Sequence, residues 1–299
     1  MLLFFAHCSM KKLIVVLLVG GLFTPTLFAQ GLFGIRQRPV NHFKGTQWYI
    51  GVITGVNFAQ ATVVEPHSEF SLMNTTITTE KDYQLAEVRP GYTAGVSGTV
   101  AFTPYIQGAL SARYNNLKYA YRQMYTWSDP ENEENQLIID DLHTLSLGYV
   151  EMPLQVRYAF PINRLKPFAQ AGLVYGRLVG ARKALVSYNT DYASGGAVES
   201  VSHQQTSDVR ASYIKSHAAY TLGGGLAYNF GGLMLVAEAN YQRGFHTITN
   251  AQTRYTATRH LEGMGHVPDD VIINALSGSV SFLFPLKFLT NKSFKPVIF

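Results

Sequence analysis

Eight segments of this sequence alternate apolar and polar residues with a period of two. In the segment 147–160, LGYVEMPLQVRYAF, the residues Val150 and Leu154 fall on one side of an extended chain, and Glu151 and Arg157 fall on the other. A period of two is typical of a β-strand with one apolar and one polar face. The sequence therefore predicts an all-β fold. The predicted strands are 47–60, 91–102, 105–121, 147–160, 166–186, 213–230, 233–249 and 271–286.

The connections between these strands alternate strictly between short and long. The short ones are Thr103–Pro104, 161–165 and Gly231–Gly232, and the long polar ones are about 61–88, 129–141, 187–212 and 250–270. Such alternation places all tight turns at one end of an antiparallel barrel and all long loops at the other. We therefore predict an eight-stranded antiparallel up-and-down transmembrane β-barrel with short periplasmic turns and long extracellular loops.

The N-terminal residues have the features of an export signal. Met10-Lys11-Lys12 gives a basic start, Leu13 to Leu22 is apolar, and Ala29 precedes a cleavage site. We predict a signal peptide at 1–29 with a true start at Met10, a periplasmic segment at 30–45, an outer-membrane barrel at 46–288 and a tail at 289–299. This predicts export to the outer membrane of a Gram-negative cell.

Composition narrows the class of protein further. Charged residues make up 14% of the chain, and the net charge of +5 comes with no basic run, so no nucleic-acid partner is expected. The single cysteine, Cys8, lies before the apolar segment, where it does not suit a lipoprotein signal. The mature chain would have no cysteine, so no disulfide is expected. Beyond the signal, the sequence contains no run of about 18 apolar residues, so no transmembrane helix is predicted.

The alternation leaves open which face meets water. A soluble periplasmic sandwich or ligand-binding barrel would turn the apolar face inward. The polar face, however, consists mainly of Gly, Ser, Thr and Asn, which fill a narrow lumen better than they coat a soluble protein. Aromatic residues, among them Trp48, Tyr158 and Phe168, gather at strand ends, where the interfacial girdles of a membrane barrel would lie. We therefore predict a polar network in the lumen. Its members are Arg113, Glu151, Gln155, Arg157, Glu238 and Asn240.

Three irregularities are expected within the strands. The apolar side of the third predicted strand changes at Asn115–Asn116, which suggests a β-bulge. A similar change of phase occurs near Gly148. Pro153 cannot donate a backbone hydrogen bond to a neighbouring strand, so we expect a local bulge there as well.

Several residues of the predicted loops could in principle form a chemical site. Asp141 and His143 have the spacing of a water-activating pair, but the nearest candidates for the facing Asp pair that such a site needs, Asp269-Asp270, lack the alternate spacing. Ser202-His203 and His260 could serve a hydrolase, but no spacing singles one out. The acidic run DPENEEN at 129–135 lacks the glycine of a calcium loop. We expect solvated loops here, no enzyme activity, no cofactor and no bound metal.

One element resembles a known family. The residues Tyr149-Val150-Glu151-Met152-Pro153-Leu154, then Arg157-Tyr158, and then Leu165-Lys166-Pro167 with Gly172 resemble the PorT-like outer-membrane β-barrel proteins of Bacteroidetes. The resemblance covers about 25 residues specifically and implies an eight-stranded outer-membrane barrel. One member of that family is tied to protein export by the type IX system.

The predicted function follows from a narrow, filled lumen. We expect a monomeric outer-membrane protein that acts as a structural, interaction or surface-binding component, with a link to protein export among its roles. Its partners would be outer-membrane lipid and proteins of a secretion or envelope assembly. The alternatives are a small-solute channel and a hydrolase with its site in the loops.

Overall fold

The computed structural model describes residues 46–67, 81–83, 89–128, 132, 135–160, 162, 164–192, 197–202, 204–230, 232–254 and 267–286. All of them belong to one compact unit, His42–Phe299. The predicted signal peptide, the segment 30–45, the tail 289–299, Cys8, His203, His260 and most of the acidic run lie outside the described residues. No helix among the described residues is long and apolar enough to span a membrane.

The fold is all-β, with eight long strands and three short ones among the described residues. The long strands are β1 (Gln47–Glu65), β3 (Pro90–Ala101), β4 (Ile106–Ser128), β5 (Gln136–Ala159), β6 (Leu165–Asp191), β9 (Ser216–Asn229), β10 (Met234–Gly244) and β11 (Asp270–Pro285). The short strands are β2 (Lys81–Asp82), β7 (Val198–Val201) and β8 (Gln205–Asp208), and two single-turn 3₁₀ helices lie at Arg210–Ser212 and Ala251–Thr253.

Every long strand pairs antiparallel with two other long strands. The order is β4-β3-β1-β11-β10-β9-β6-β5, and an additional pairing of β5 with β4 joins its two ends. Neighbours in the sheet are therefore also neighbours along the chain, apart from the pairing of β1 with β11. The long strands form a continuous ring, as the up-and-down prediction requires.

The connections alternate in length as predicted at three of the four long positions, whereas the one between β4 and β5 is shortened to residues 129–135. The turn after β3 is closed by the backbone N–H groups of Phe102 and Thr103, which donate to the carbonyl of Ile106. On the opposite end, β2 pairs with β4, and β7 and β8 pair with β6, so parts of the predicted long loops extend the sheet. The sequence pattern missed the first part of β5, which begins at Gln136 instead of 147.

The bulge predicted at Asn115–Asn116 is wrong. The register of β4 with both of its long neighbours is unchanged there, since Asn115 pairs with Tyr149 and Asn116 with Gly148 in the same alignment as the residues before them. What changes is the chemistry of each face. The inward side chains of β4 change from Gln107, Ser111, Arg113 and Asn115 to Leu117, Tyr119 and Tyr121.

The outer face changes in the opposite sense at the same level. Leu110 and Tyr114 are exposed on the outer face of β4, and the outward positions that follow are Asn116 and Lys118. An apolar exterior around a polar interior thus becomes a polar exterior around an apolar interior. This exchange, and not an inserted residue, moves the apolar residues from one parity to the other.

The bulge expected at Pro153 is also wrong. The pairs Leu110–Leu154 and Arg113–Glu151 share one alignment, so the ladder with β4 omits the pairs opposite Met152 and Pro153 but does not shift. A register shift does occur near Gly148, where a phase change was expected. Gly148 pairs with Gly180 and Tyr149 with Leu178, which makes Val179 of β6 the extra residue.

An apolar belt surrounds the half of the ring nearest the short turns. Trp48, Ile50, Val52, Val56 and Phe58 of β1 are each between 42% and 55% exposed. Aromatic side chains mark both of its edges: Trp48, Phe102, Tyr105, Tyr158, Phe160, Phe230 and Phe284 on the turn side, and Tyr92, Tyr175 and Phe245 on the loop side. Phe168 was expected in this set but is buried inside the ring.

Candidate functional site

A first layer of polar side chains in the ring centres on Glu238 of β10. Its carboxylate accepts hydrogen bonds from Arg157 Nη2 at 2.7 Å, from Gln170 Nε2 at 3.3 Å and from Ser279 Oγ at 3.2 Å. Arg157 also donates through Nε to Gln170 Oε1 at 2.7 Å, and its guanidinium lies 4.9 Å from the centre of the Phe168 ring. Four strands, β5, β6, β10 and β11, are thereby linked across the interior.

A second layer centres on Glu151 of β5, which is fully buried. Arg113 Nη2 donates to Oε2 of Glu151 at 3.0 Å, and Asn115 Nδ2 donates to the same oxygen at 3.0 Å. Gln242 Nε2 donates to Oε1 at 3.2 Å, and His217 Nε2 lies 3.6 Å from that oxygen. Each layer contains one arginine and one glutamate, so each is electrically neutral when His217 is neutral.

The six residues predicted for the lumen all lie inside the ring. Arg113 and Glu151 share the second layer, and Arg157, Glu238 and Asn240 share the first. Gln155 is 4% exposed but joins neither layer by a hydrogen bond. It packs instead against the backbone of Gly172.

Five residues that contact the two glutamates are not among the six predicted for the lumen: Asn115, Gln170, His217, Gln242 and Ser279. Gln170 donates to Asn240 Oδ1 at 2.5 Å, and His217 packs edge-on against the Tyr149 ring at 4.4 Å. The sequence pattern predicts Phe168 as an outward girdle residue, and the predicted network therefore does not include Gln170, two positions further along the same strand. Strict alternation along β6 places Phe168 and Gln170 on the same face, and that face is the interior of the ring.

Glycines make room for these side chains. A Cβ atom on Gly176 would lie 2.1 Å from Cε1 of His217, and one on Gly223 would lie 2.2 Å from Oδ1 of Asn240. Both distances are far below contact between real side chains. The glycines of the strands therefore let bulky polar groups from neighbouring strands occupy a narrow interior.

Above the second layer, the interior is apolar and aromatic. Leu117, Tyr119, Leu145, Leu147 and Ile273 form a cluster, together with Tyr149, Tyr213, Ile248 and Val271. The hydroxyls of Tyr119 and Tyr213 lie 3.1 Å apart. A small cavity at the boundary of cluster and layer is lined by Leu117, Tyr149, His217, Gln242 and Ile248. Tyr213, from the connection after β8, and Ile248, from the connection after β10, belong to this cluster and cover the interior of the ring at the loop end.

A polar clamp, formed by Lys81, Tyr83 and Asp269, joins the connection between β1 and β3 to the connection between β10 and β11. Asp269 accepts from Lys81 Nζ at 2.9 Å and from the Tyr83 hydroxyl at 2.8 Å. Lys81 also donates to the backbone carbonyls of His67 and Val267, each at 2.6 Å. Burial, together with the adjacent Asp269 carboxylate, raises the pKa of Tyr83 well above its usual value. Tyr83 therefore remains a hydrogen-bond donor over the physiological range.

The residues weighed for hydrolysis are placed differently from expectation. His143 is not in a solvated loop: it is inside β5, 1% exposed, with its ring stacked 4.6 Å from that of Tyr121. Asp141 accepts a hydrogen bond from Ser187. Asp269 is held by the clamp, and Asp270 pairs with Arg254.

Comparison with known proteins identifies the family. Residues 28–250 match the family described as outer membrane protein beta-barrel domain, and the chain belongs to it. A search of curated proteins found no match. Membership places the protein in the outer membrane, in contact with lipid.

Solved structures of outer-membrane proteins are similar to this chain at low identity. The outer membrane protein OprG from Pseudomonas aeruginosa is 9% identical, with 81% of this chain and 95% of that chain covered and a TM-score of 0.33. AlkL in DMPC lipid bilayers is 11% identical, with 88% and 100% covered and a TM-score of 0.33. Ail, the attachment invasion locus protein of Yersinia pestis, is 11% identical, with 80% and 99% covered and a TM-score of 0.31.

Proposed function

We propose that this outer-membrane protein is an eight-stranded transmembrane barrel with a filled lumen, which acts as a structural or interaction component of the cell surface. The two neutral Arg–Glu layers carry this proposal. Each layer links strands from opposite parts of the ring by side-chain hydrogen bonds. A solute crossing the lumen would have to break both layers and leave charges unpaired in a dry interior, which is costly.

The apolar belt supports the transmembrane arrangement. Phe58 lies ten positions after Trp48, which is about 33 Å along a strand. At the tilt of about 35–45° usual for such barrels, this covers a height of about 25 Å, the size of the outward apolar band of outer-membrane barrels. The short turns would then face the periplasm, and the long connections would face the outside of the cell.

Planar bilayer recordings test the filled lumen. The wild-type protein should give no sustained unitary current. A variant that also thins the apolar cluster, Arg113→Ala/Glu151→Ala/Arg157→Ala/Glu238→Ala with Leu117→Ala and Tyr119→Ala, should conduct once it is shown to be folded by its heat-modifiable migration, because it removes both layers and part of the apolar closure above them. Sustained currents from the wild type would establish the alternative, a small-solute channel.

The proposal includes a non-enzymatic role. His143 is buried against Tyr121 instead of open to a substrate, which supports this view. Incubation of the purified protein with lipid A or with peptides should give no hydrolysis. Activity that disappears in His143→Ala would contradict the proposal and favour the loop-sited hydrolase.

The finer family assignment is likewise proposed. The element from Tyr149 to Leu154, followed by Lys166-Pro167, supports a PorT-like protein of Bacteroidetes that is exported by its signal peptide and linked to a secretion or envelope assembly. Crosslinking in intact cells followed by mass spectrometry should recover envelope proteins with this chain. Recovery of lipid and the chain alone would contradict a role in an assembly.

A further inference from the structure

A β-bulge at the end of β1 sets Glu65 beside Asp270. Val63 pairs with Val271, and the next pair is Glu65 with Asp270, so Val64 is an extra residue in β1. Without this insertion, Val64 would lie opposite Asp270. Paired residues place their side chains on the same face of a sheet, and bulges often re-aim a side chain next to a functional site.

His67 completes a set of three possible metal ligands. One nitrogen of His67 and one carboxylate oxygen each from Glu65 and Asp270 all lie within 4.8 Å of one another. Nε2 of His67 is 3.4 Å from Oδ2 of Asp270, which is longer than a usual N–H···O hydrogen bond. Two ligands at about 2.0–2.1 Å from a tetrahedral Zn²⁺ would be about 3.4 Å apart.

The ligands are held in place by contacts outside the set. The backbone N–H of His67 donates to Asp269 Oδ1 at 2.7 Å, and its carbonyl accepts from Lys81 Nζ at 2.6 Å. Arg254 donates to Oδ1 of Asp270, which leaves Oδ2 directed at His67. Hydrogen bonds of this kind orient metal ligands and strengthen binding.

The surroundings favour a cation that arrives from water. Phe58 and Leu276 are the last apolar pair on the outer face of β1 and β11, and Gln60 and Asn274 follow. Glu65 lies seven positions beyond Phe58, about 23 Å along the strand and away from the lipid belt. The local carboxylates are Glu65, Asp269 and Asp270, and the local cations are Lys81 and Arg254, which leaves an excess of one negative charge when His67 is neutral.

We propose that Glu65, His67 and Asp270 bind one divalent transition-metal ion, best fitted by Zn²⁺, at the outer rim of the barrel. One imidazole and two carboxylates match the nitrogen and oxygen ligands of zinc, whereas calcium takes six to eight oxygens. The fourth position would hold water. The ion would fasten the end of β1 to the start of β11, the two strands that join the N- and C-terminal parts of the ring. This site is independent of the filled lumen.

Zinc titration of the full-length, untagged and metal-stripped protein in detergent micelles tests this site. The wild type should bind one Zn²⁺ per chain, and Co²⁺ in its place should give the visible absorption of a four-coordinate ion. His67→Ala and Glu65→Gln should each weaken zinc binding more than about tenfold, since even loss of an orienting contact around a metal costs that much. Glu65 is exposed, so Glu65→Gln leaves folding intact.

The matched control is His246→Ala. His246 is an exposed histidine whose Nδ1 lies 3.1 Å from the carbonyl oxygen of Thr247, and its replacement should leave zinc affinity unchanged. Three results would overturn the proposal: zinc affinity that is the same in the wild type and Glu65→Gln, equal losses in His246→Ala and His67→Ala, or displacement of Zn²⁺ by equimolar Ca²⁺.

Discussion

Arg113 and Glu151 are directly paired residues of β4 and β5, and Nη2 of the arginine lies 3.0 Å from Oε2 of the glutamate inside the ring. Neither side chain is more than 6% exposed. The two charges therefore compensate each other in a place that water does not reach. The rest of the second layer surrounds this pair.

Removing one partner of this pair should be far worse than removing both. Glu151→Leu leaves the Arg113 charge buried and uncompensated, so we expect a loss of about 3–5 kcal/mol in the free energy of unfolding. The double variant Arg113→Met/Glu151→Leu should recover much of that loss. Urea unfolding in micelles, followed by tryptophan fluorescence, measures both. A double variant no more stable than Glu151→Leu would show that the pair is not the organising contact.

The glycine beside His217 should not tolerate a side chain. Gly176→Val forces the imidazole away from Glu151, because even a Cβ atom would lie 2.1 Å from the ring. We expect a loss of about 1–3 kcal/mol, as for other overpacked interiors. Gly278→Val is the control, since a Cβ there meets no atom within 4 Å. Equal melting temperatures for the two variants in micelles would contradict the described packing.

The clamp at the loop end should stabilise the protein more than a surface ion pair does. The Lys81 and Asp269 side chains are 4% and 1% exposed, so Lys81→Met should cost about 3–5 kcal/mol by leaving Asp269 buried without its partner. The pair Arg122–Asp140 is more exposed, at 43% and 20%, and Arg122→Met should cost at most about 1 kcal/mol. Limited proteolysis should cut the connection 245–269 faster in Lys81→Met alone; the same rate in both variants would argue against the clamp.

The apolar belt should reject charge in proportion to its depth. Leu154 is 60% exposed in the middle of the outward run of β5, so Leu154→Arg should destabilise the barrel in lipid by about 2–4 kcal/mol. Thr126→Arg lies on the exposed end of β4, beyond the belt, and should have little effect. Folding titrations in phospholipid vesicles compare them, and an equal cost at both positions would mean that the belt does not face lipid.

The strands and the inward charges could be predicted from alternation alone, because a period of two assigns Arg113, Glu151 and Arg157 to one side of their strands. The exchange of polar and apolar residues between the two faces of β4 beyond Asn115 could not be predicted from the sequence. A swap of polar and apolar faces and an inserted residue produce the same one-dimensional pattern, and only the unchanged pairing of β4 separates them. The clamp was beyond prediction because Lys81 and Asp269 are 188 positions apart and lie in connections without regular periodicity.

Among the described residues, the strands differ greatly in height. β5 and β6 remain paired as far as Leu137 and Asp191, whereas the pairing of β10 with β11 ends at Arg243 and Asn274. The sheet therefore extends further toward the loop end at β5 and β6 than at β10 and β11. A neighbouring molecule that diffuses in the membrane would meet a different profile from each direction, so contacts above the lipid would select one rotational orientation of the barrel about its own axis.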